Sequence, residues 1–357
     1  MRVLHAAFMN EPSLGILNQM YWENESAKKL KLEWKSLLFV KNESTCLDYK
    51  YSDTLIFLNK NGWYDSHVAY YNNLLKKMDS FDVLLLRYSI SDPLQYLFLK
   101  KIDKPVYLVH HTIETSEILS YPGSKKYIKY LVDVFFGALS LKKCKNIICV
   151  TNEIYSYENS RVNNRFKNKI IYPNGVNYSF LGFKDKKDSI PQILFIASYF
   201  NDWHGLDILL KSLKYNNSNF VLHLIGGLSD RDKEVAMRDE RIILHGTLPP
   251  NKIAKIMENA WVGLSSFALH RKAMSEACTL KVREYLMYGI PVYSGHKDTF
   301  PEDFQYYYIG KPDIDDILKY AYTLKDISTK DISLKSKEFI NKENLLIALY
   351  NNIKNEV

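Results

Sequence analysis

Cysteine is scarce in this chain and poorly placed for cross-linking. Cys46, Cys144, Cys149 and Cys278 are the four in 357 residues, too few for a disulfide scaffold and without the paired spacing of a zinc site. They read as reduced thiols in a cytoplasm. Long apolar runs are missing too: no stretch approaches the ~18–20 residues of a membrane span. Met1-Arg2-Val3-Leu4-His5 runs directly into a strand pattern, without the apolar segment of a secretory leader. There are no repeats or low-complexity tracts. No nucleic-acid module or dense Lys/Arg run is recognised, so no nucleic-acid partner is expected.

What is present is ordinary globular composition, 46% hydrophobic and 25% charged, over a length that calls for two domains. The net charge of +8 is uneven. Residues 1–177 hold 24 Lys and Arg against 17 Asp and Glu, so the first half carries the basicity. An anionic membrane surface or an anionic, lipid-linked acceptor would suit it. A general enrichment in Lys and Asn would account for it equally well.

Short apolar strands alternate with helical patterns twice over, which predicts two parallel α/β sheets. Expected strands are 3–8, 37–40, 82–87, 106–110, 146–150 and 169–172, then 192–197, 220–225, 241–245, 261–265, 291–294 and 306–309. The polar break from Gly182 to Asp188 marks the join, just after the turn signal Asn174-Gly175. Residues 336–354 read as one amphipathic helix. Residues 124–143 form a second helical pattern in which Lys125, Lys126 and Lys129 alternate with Tyr127, Tyr130, Phe135 and Phe136. That mixture fits either a membrane-interface face or an ordinary half-buried helix.

The chemistry concentrates between Glu276 and Val292. Cys278 or Thr279 opens a short helix and Gly289-Ile290-Pro291 stops it, so Glu276 precedes the helix start and Glu284 lies within it. Free backbone N–H groups and the positive end of the helix dipole lie between the two carboxylates, a place for a phosphate or diphosphate. Carboxylates on either side could accept hydrogen bonds from sugar hydroxyls. The plain alternative is a loop charge and a solvated helix residue.

This segment resembles the Glu-x7-Glu signature of the retaining GT-B glycosyltransferases of family 4, including its trailing Gly289-Ile290-Pro291-Val292. Pro173-Asn174-Gly175-Val176 resembles the motif that ends their first domain, with Asn177 where the family has Asp. The resemblance implies a GT-B fold, two Rossmann-like doubly wound parallel sheets facing across a cleft. Residues 1–177 would be the acceptor domain, 178–335 the donor domain, and 336–357 a helix returning to the first domain. Glu276 would contact donor-sugar hydroxyls and Glu284 the ribose, with Thr279, Leu280 and Lys281 beside the diphosphate. Glu276, His111 and Lys281 are the expected catalytic residues.

Phe195–206 resembles the family's Gly-Arg…Lys-Gly phosphate loop, but Ser198 stands at the Arg position and His204 at the Lys position. Lys281, Arg283, Arg271 and Lys272 are candidates to supply the missing charge, and His204 could act as imidazolium or as a neutral donor. Gly226, after a strand, permits close backbone approach to a nucleotide or simply makes a turn. Gly246 lies in a stretch similar to the family's turn near the base. Gly15 lies in the loop expected over the diphosphate. His111, within a His-Thr pair at a strand end, matches the histidine that faces the donor sugar; the alternative is a structural histidine.

The implied activity is hexosyl transfer from a UDP- or GDP-type sugar to a glycan or lipid-linked acceptor with retention. The leaving phosphate oxygen would take the acceptor proton on the same face. No metal or other cofactor is expected, and no Asp-x-Asp motif is read as a cation site. The setting would be bacterial capsule or O-antigen synthesis, in the cytoplasm at the inner face of the plasma membrane. Rival readings are a nucleotide-sugar epimerase, a phosphorylase, or an inactive partner in a glycan-assembly complex.

Overall fold

The computed structural model describes residues 1–42, 49–120, 122–179 and 189–357. Cys46 and the 182–188 join fall outside the described residues. The chain divides into two compact units, one made of Met1–Asn177 with Lys342–Val357 and the other of Tyr178–Asn341.

The first unit is a seven-stranded parallel sheet of β1 (Val3–Met9), β2 (Trp34–Val40), β3 (Leu55–Phe57), β4 (Val83–Arg87), β5 (Val106–His110), β6 (Asn146–Cys149) and β7 (Ile170–Ile171). Its order is β3-β2-β1-β4-β5-β6-β7. Central strands such as Val83-Leu84-Leu85-Leu86 are apolar at every position because helices cover both faces. The order reverses between β1 and β4, so their carboxyl ends leave a crevice at the sheet's edge. β3 was not expected from the sequence: it is three half-buried residues at the sheet margin, too short to show a period.

The expected single helix over 336–354 is two helices. One spans Thr329–Ile340, Asn341 is extended at φ −72°, ψ 121°, and the next runs Lys342–Lys354. Leu346, Leu349 and Ile353 pack with Val83, Leu85 and Ile148 in the first unit's core. Each such buried side chain contributes about 1.5–3 kcal/mol. Lys342 fixes the start: its N–H donates to the Val176 carbonyl at 2.9 Å and its ammonium to Gln19 Oε1 at 2.6 Å.

The second unit is a six-stranded parallel sheet of β8 (Gln192–Tyr199), β9 (Val221–Gly227), β10 (Ile242–Gly246), β11 (Val262–Leu264), β12 (Val292–Ser294) and β13 (Tyr307–Ile309). The order β10-β9-β8-β11-β12-β13 again reverses beside the first strand of the unit. The β8–β9 register slips between Ile196 and Tyr199. Gly226 makes the slip feasible: its φ is +131°, and a Cβ there would sit 1.7 Å from the Ala197 carbonyl oxygen. The Leu280–Met287 helix buries Val282, Tyr285 and Leu286 against this sheet, and the Ile196 N–H donates to the Tyr285 hydroxyl at 3.1 Å. Among the described residues no helix is long and apolar enough to cross a membrane.

Candidate active site

In the second unit, the segments after β8 and β11 meet at the reversal of strand order. Phe267 and Ala268 donate their N–H groups to the carbonyls of His204 and Trp203 at 2.9 and 3.2 Å. Ser198 and Tyr199 stand exposed at the end of β8. Gly226, buried in β9, is spent on the Ala197 contact, so its lack of a side chain serves the sheet rather than a turn after it.

Glu276 is held on an extended backbone by a parallel bridge to Lys297. Ala277 N–H donates to the Lys297 carbonyl and Lys297 N–H to the Ser275 carbonyl, both at 3.0 Å. Thr279 is the N-cap, at φ −90°, ψ 145°, but its hydroxyl does not cap the helix. Its Oγ1 is buried without a hydrogen-bond partner among the described residues, and so is the Nζ of Lys281 two residues on. Buried polar atoms are nearly always satisfied; these two, beside the free N–H groups of one helix start, are groups that could hold an anion. Leu280, half-buried, supplies the first helical N–H between them.

Burial pushes the Lys281 ammonium down to about 7, with Glu284 pulling upward; the ring centroid of Phe195 lies 5.5 Å away. Burial likewise raises the Glu284 carboxyl to about 7 against the charge of Lys281. The other cationic candidates are engaged. Arg283 is buried and its guanidinium donates to both oxygens of Asp298 at 2.5 Å. Arg271 grips Asp207 through two bonds of 2.8 and 2.9 Å. The Lys272 ammonium lies 3.9 Å from the Trp203 ring centroid.

In the free protein His204 is held toward the neutral imidazole. Its Nδ1 accepts the Asn201 N–H at 3.0 Å, and burial, with the charges of Lys281 and Lys272, depresses it to about 3. Nε2–H is then the donor it can offer. Two Asp-x-Asp triplets do occur, Asp230-Arg231-Asp232 and Asp313-Ile314-Asp315. Both open helices: Ser229 and Asp313 are the caps and the remaining aspartates occupy first turns.

In the first unit, a cavity of about 780 Å³ occupies the crevice at the carboxyl ends of β1 and β4. Asn10, Ile16, Trp63, Arg87, Ser91 and Lys129 are among its walls. Gly15 is the second residue of the helix Leu14–Leu30 that contributes Ile16. Trp63 is 46% exposed and stacks on His67 with centroids 4.3 Å apart. The Arg87 guanidinium makes no hydrogen bond with any described residue; burial lowers it to about 10, while Glu114 and Glu117 hold it up. The sequence reading missed this cavity. The available signal was an arginine ending an otherwise wholly apolar strand.

His111 follows β5 and its Nε2 is buried without a partner. Burial, then the charge of Arg87, keeps it well below the usual histidine range, so it too is neutral. Beside it in the chain, His110 belongs to a buried polar cluster. His110 Nδ1 is 3.1 Å from both oxygens of Glu114, and Glu158 accepts from Arg161, which also reaches Asp133. Candidate ligand atoms of His110, Glu114 and Glu158 lie within 4.8 Å of one another. However, Arg161 occupies Glu158 at 2.8 Å and the Tyr88 ring covers the imidazole at 4.6 Å. His110 Nε2 and Glu158 Oε1 have no hydrogen-bond partner among the described residues.

A further cavity of about 770 Å³ beside Lys214 and Arg241 lies at the amino ends of β9 and β10, the opposite edge of that sheet from Ser198.

No protein-family model matches the chain, and no curated protein matches it in sequence. Solved structures do match. It is similar to the lipopolysaccharide outer core galactosyltransferase WaaB in its apo form, at 14% identity and TM-score 0.66 over 100% of both chains. The Anabaena protein HepE in complex with UDP matches at 12% identity and TM-score 0.69, over 99% of this chain and 100% of that one. Sucrose-phosphate synthase from Thermosynechococcus elongatus matches at 11% identity and TM-score 0.69, over 99% of each. The likeness is one of fold: two parallel-sheet α/β domains of the GT-B class.

Proposed function

We propose that this chain is a retaining glycosyltransferase that moves a hexosyl group from a UDP- or GDP-type sugar to a glycan or lipid-linked acceptor. Bacterial surface-polysaccharide synthesis at the cytoplasmic face of the membrane is its setting. One observation carries the reading: Lys281 Nζ and Thr279 Oγ1 are both buried and unpartnered at the start of the Leu280–Met287 helix, between Glu276 and Glu284. A diphosphate satisfies both, together with the backbone N–H groups there.

In this reading Lys281 stabilises the charge on the leaving diphosphate. Glu276 accepts hydrogen bonds from donor-sugar hydroxyls and Glu284 from the ribose. His204 and Ser198 contribute neutral donors, and Gly226 acts only by shaping β8. The departing phosphate oxygen takes the acceptor's proton, so neutral His111 positions hydroxyls instead of acting as a strong base. The acceptor occupies the first unit's cavity, with Trp63 as stacking surface and Arg87 available to an anionic group. No metal is assigned a role. That HepE was solved with UDP supports the choice of nucleotide.

A second reading, an inactive glycan-binding partner, draws on the neutrality of Ser198 and His204, which leaves Lys281 to meet the diphosphate charge. A panel of UDP- and GDP-sugars screened by thermal shift and then by donor hydrolysis separates the two. Hydrolysis or transfer that disappears in Glu276→Ala supports the enzyme; binding without turnover, or turnover untouched by Glu276→Ala in a folded protein, sinks it. Conversion of donor alone to an epimer, followed by NMR, would identify an epimerase.

A further inference from the structure

The loop after β12, Gly295-His296-Lys297, bridges to the backbone on either side of Glu276. Gly295 presses this loop on the segment after β11. Its N–H donates to the Ser266 carbonyl at 3.1 Å, and a Cβ there would lie 2.7 Å from the Phe267 Cα. Lys297, whose N–H and carbonyl make the bridge, is exposed, whereas His296 is buried at 3% exposure. A polar ring that deep needs partners for both nitrogens.

Those partners fix its tautomer. The Tyr307 hydroxyl, at the start of β13, donates its one proton to the His296 carbonyl at 2.8 Å. Nδ1 therefore faces two acceptors, the Lys297 carbonyl at 3.0 Å and the Tyr307 oxygen at 3.1 Å, and carries the ring proton. Nε2 is left as an acceptor, and the buried Ser265 hydroxyl, one residue past β11, donates to it at 3.1 Å. Burial lowers the ring's pKa, in keeping with a neutral imidazole. A chain of donors thus runs from Ser265 through His296 to the Lys297 carbonyl, which also accepts the Ala277 N–H at 3.0 Å. On the far side of Lys297, Asp298 is tied to Arg283 of the Leu280–Met287 helix, so both its neighbours are anchored.

We propose that His296 is a positioning residue for Glu276: it holds the Lys297 carbonyl against which the Glu276 backbone is aligned, and so sets where the carboxylate meets a donor sugar. The proposal rests on the glycosyl-transfer reading for what Glu276 does, but not for how Glu276 is held. Hydrogen bonds to sugar hydroxyls weaken steeply as their geometry is lost. A loosened bridge therefore costs contacts to the sugar, while the nucleotide contacts of that reading, made from the Leu280–Met287 helix, are kept.

Hydrogen exchange read by mass spectrometry on the full chain without ligand tests the holding. His296→Gln carries an amide toward Ser265 but no donor beside the Lys297 carbonyl, and its amides over 275–278 are expected to exchange about tenfold faster or more. His296→Asn keeps an N–H beside that carbonyl and is expected to hold wild-type exchange there, although it leaves the larger gap; a histidine that only fills space gives the reverse order. Calorimetry with UDP-glucose, UDP-galactose, GDP-mannose and the bare nucleotides tests the consequence. His296→Gln is expected to lower nucleotide-sugar affinity by roughly tenfold, to leave UDP or GDP affinity unchanged, and to add nothing in a Glu276→Ala background. Unchanged exchange at 275–278 in His296→Gln, faster exchange spread over the whole second unit, or an affinity loss that adds in full to that of Glu276→Ala would overturn the proposal. Glu276→Ala with sugar affinity intact sinks the role of Glu276 itself, and the consequence drawn here with it, whatever the exchange shows.

Discussion

Lys281 and Arg283 stand two residues apart on one short helix, and among the described residues Arg283 forms a salt bridge while Lys281 forms none. The Arg283 guanidinium closes on Asp298 at 2.5 Å, while the ammonium of Lys281 is buried with no hydrogen-bond partner.

The two cations therefore answer differently to the same substitution. Arg283→Met leaves Asp298 buried and unpaired, at a cost of about 3–5 kcal/mol, visible as a lower midpoint in denaturant. Lys281→Met removes a buried ammonium that has no hydrogen-bond partner among the described residues, so stability without ligand is expected to be unchanged or higher. Its affinity for UDP-sugars by calorimetry falls by roughly 10- to 100-fold, the worth of a charge-assisted hydrogen bond.

Donor affinity is expected to depend on pH. Lys281 titrates at about 7 in the free protein, so above that pH a diphosphate must restore the proton before it gains the charge. Glu284, also at about 7, adds negative charge over the same range. UDP-sugar affinity, which has no phosphate titration of its own there, drops by up to about tenfold per pH unit between pH 7 and 9. Lys281→Arg, always charged, flattens the Lys281 contribution, and a flat wild-type profile would rule out this role.

Glu114 couples stability to pH. Burial raises its folded value to about 8 from 4.5. The folded state therefore holds a proton that the unfolded state has released, and this contribution, complete below pH 4.5, is lost as pH rises through 8. His110, depressed to about 4 by burial, has shed its proton in both states by about pH 8. Glu114→Gln, which keeps an N–H for His110 Nδ1, is expected to gain about 1 kcal/mol or more on wild type at pH 8.5, and little at pH 4. Urea unfolding at both values measures the difference.

Two glycines with positive φ separate steric from conformational demand. Gly226→Ala drives a methyl into the Ala197 carbonyl and is expected to cost about 3 kcal/mol or more. Gly246→Ala, at φ +62° with open space around it, costs about 1 kcal/mol. Melting temperatures in that order check the β8–β9 packing.

The two sheets were legible because their strands are buried on both faces and so read as apolar runs between helical patterns. β3 was not, since three marginal residues carry no period. The break at Asn341 was hidden because apolar positions continue on both sides, although the helices serve different units; what decides it is Lys342 bonding to Val176, far away in sequence. The Glu276–Glu284 spacing pointed to the helix start where Lys281 Nζ and Thr279 Oγ1 lack hydrogen-bond partners among the described residues. Which neighbouring cation is left without an ion pair there depended on partners no local pattern reveals, Asp298 for Arg283 and Asp207 for Arg271. His204 was ambiguous for a similar reason: the burial and the charges of Lys281 and Lys272 that depress it come from tertiary packing.

The return of residues 342–357 to the first unit has a consequence for how the protein is made. Tyr178–Asn341 is continuous, whereas the first unit needs Leu346, Leu349 and Ile353 to fill its core and Lys342 to reach Gln19. A chain emerging from the ribosome can complete the later unit while the earlier one still exposes an apolar face. The part synthesised first is the part that finishes folding last.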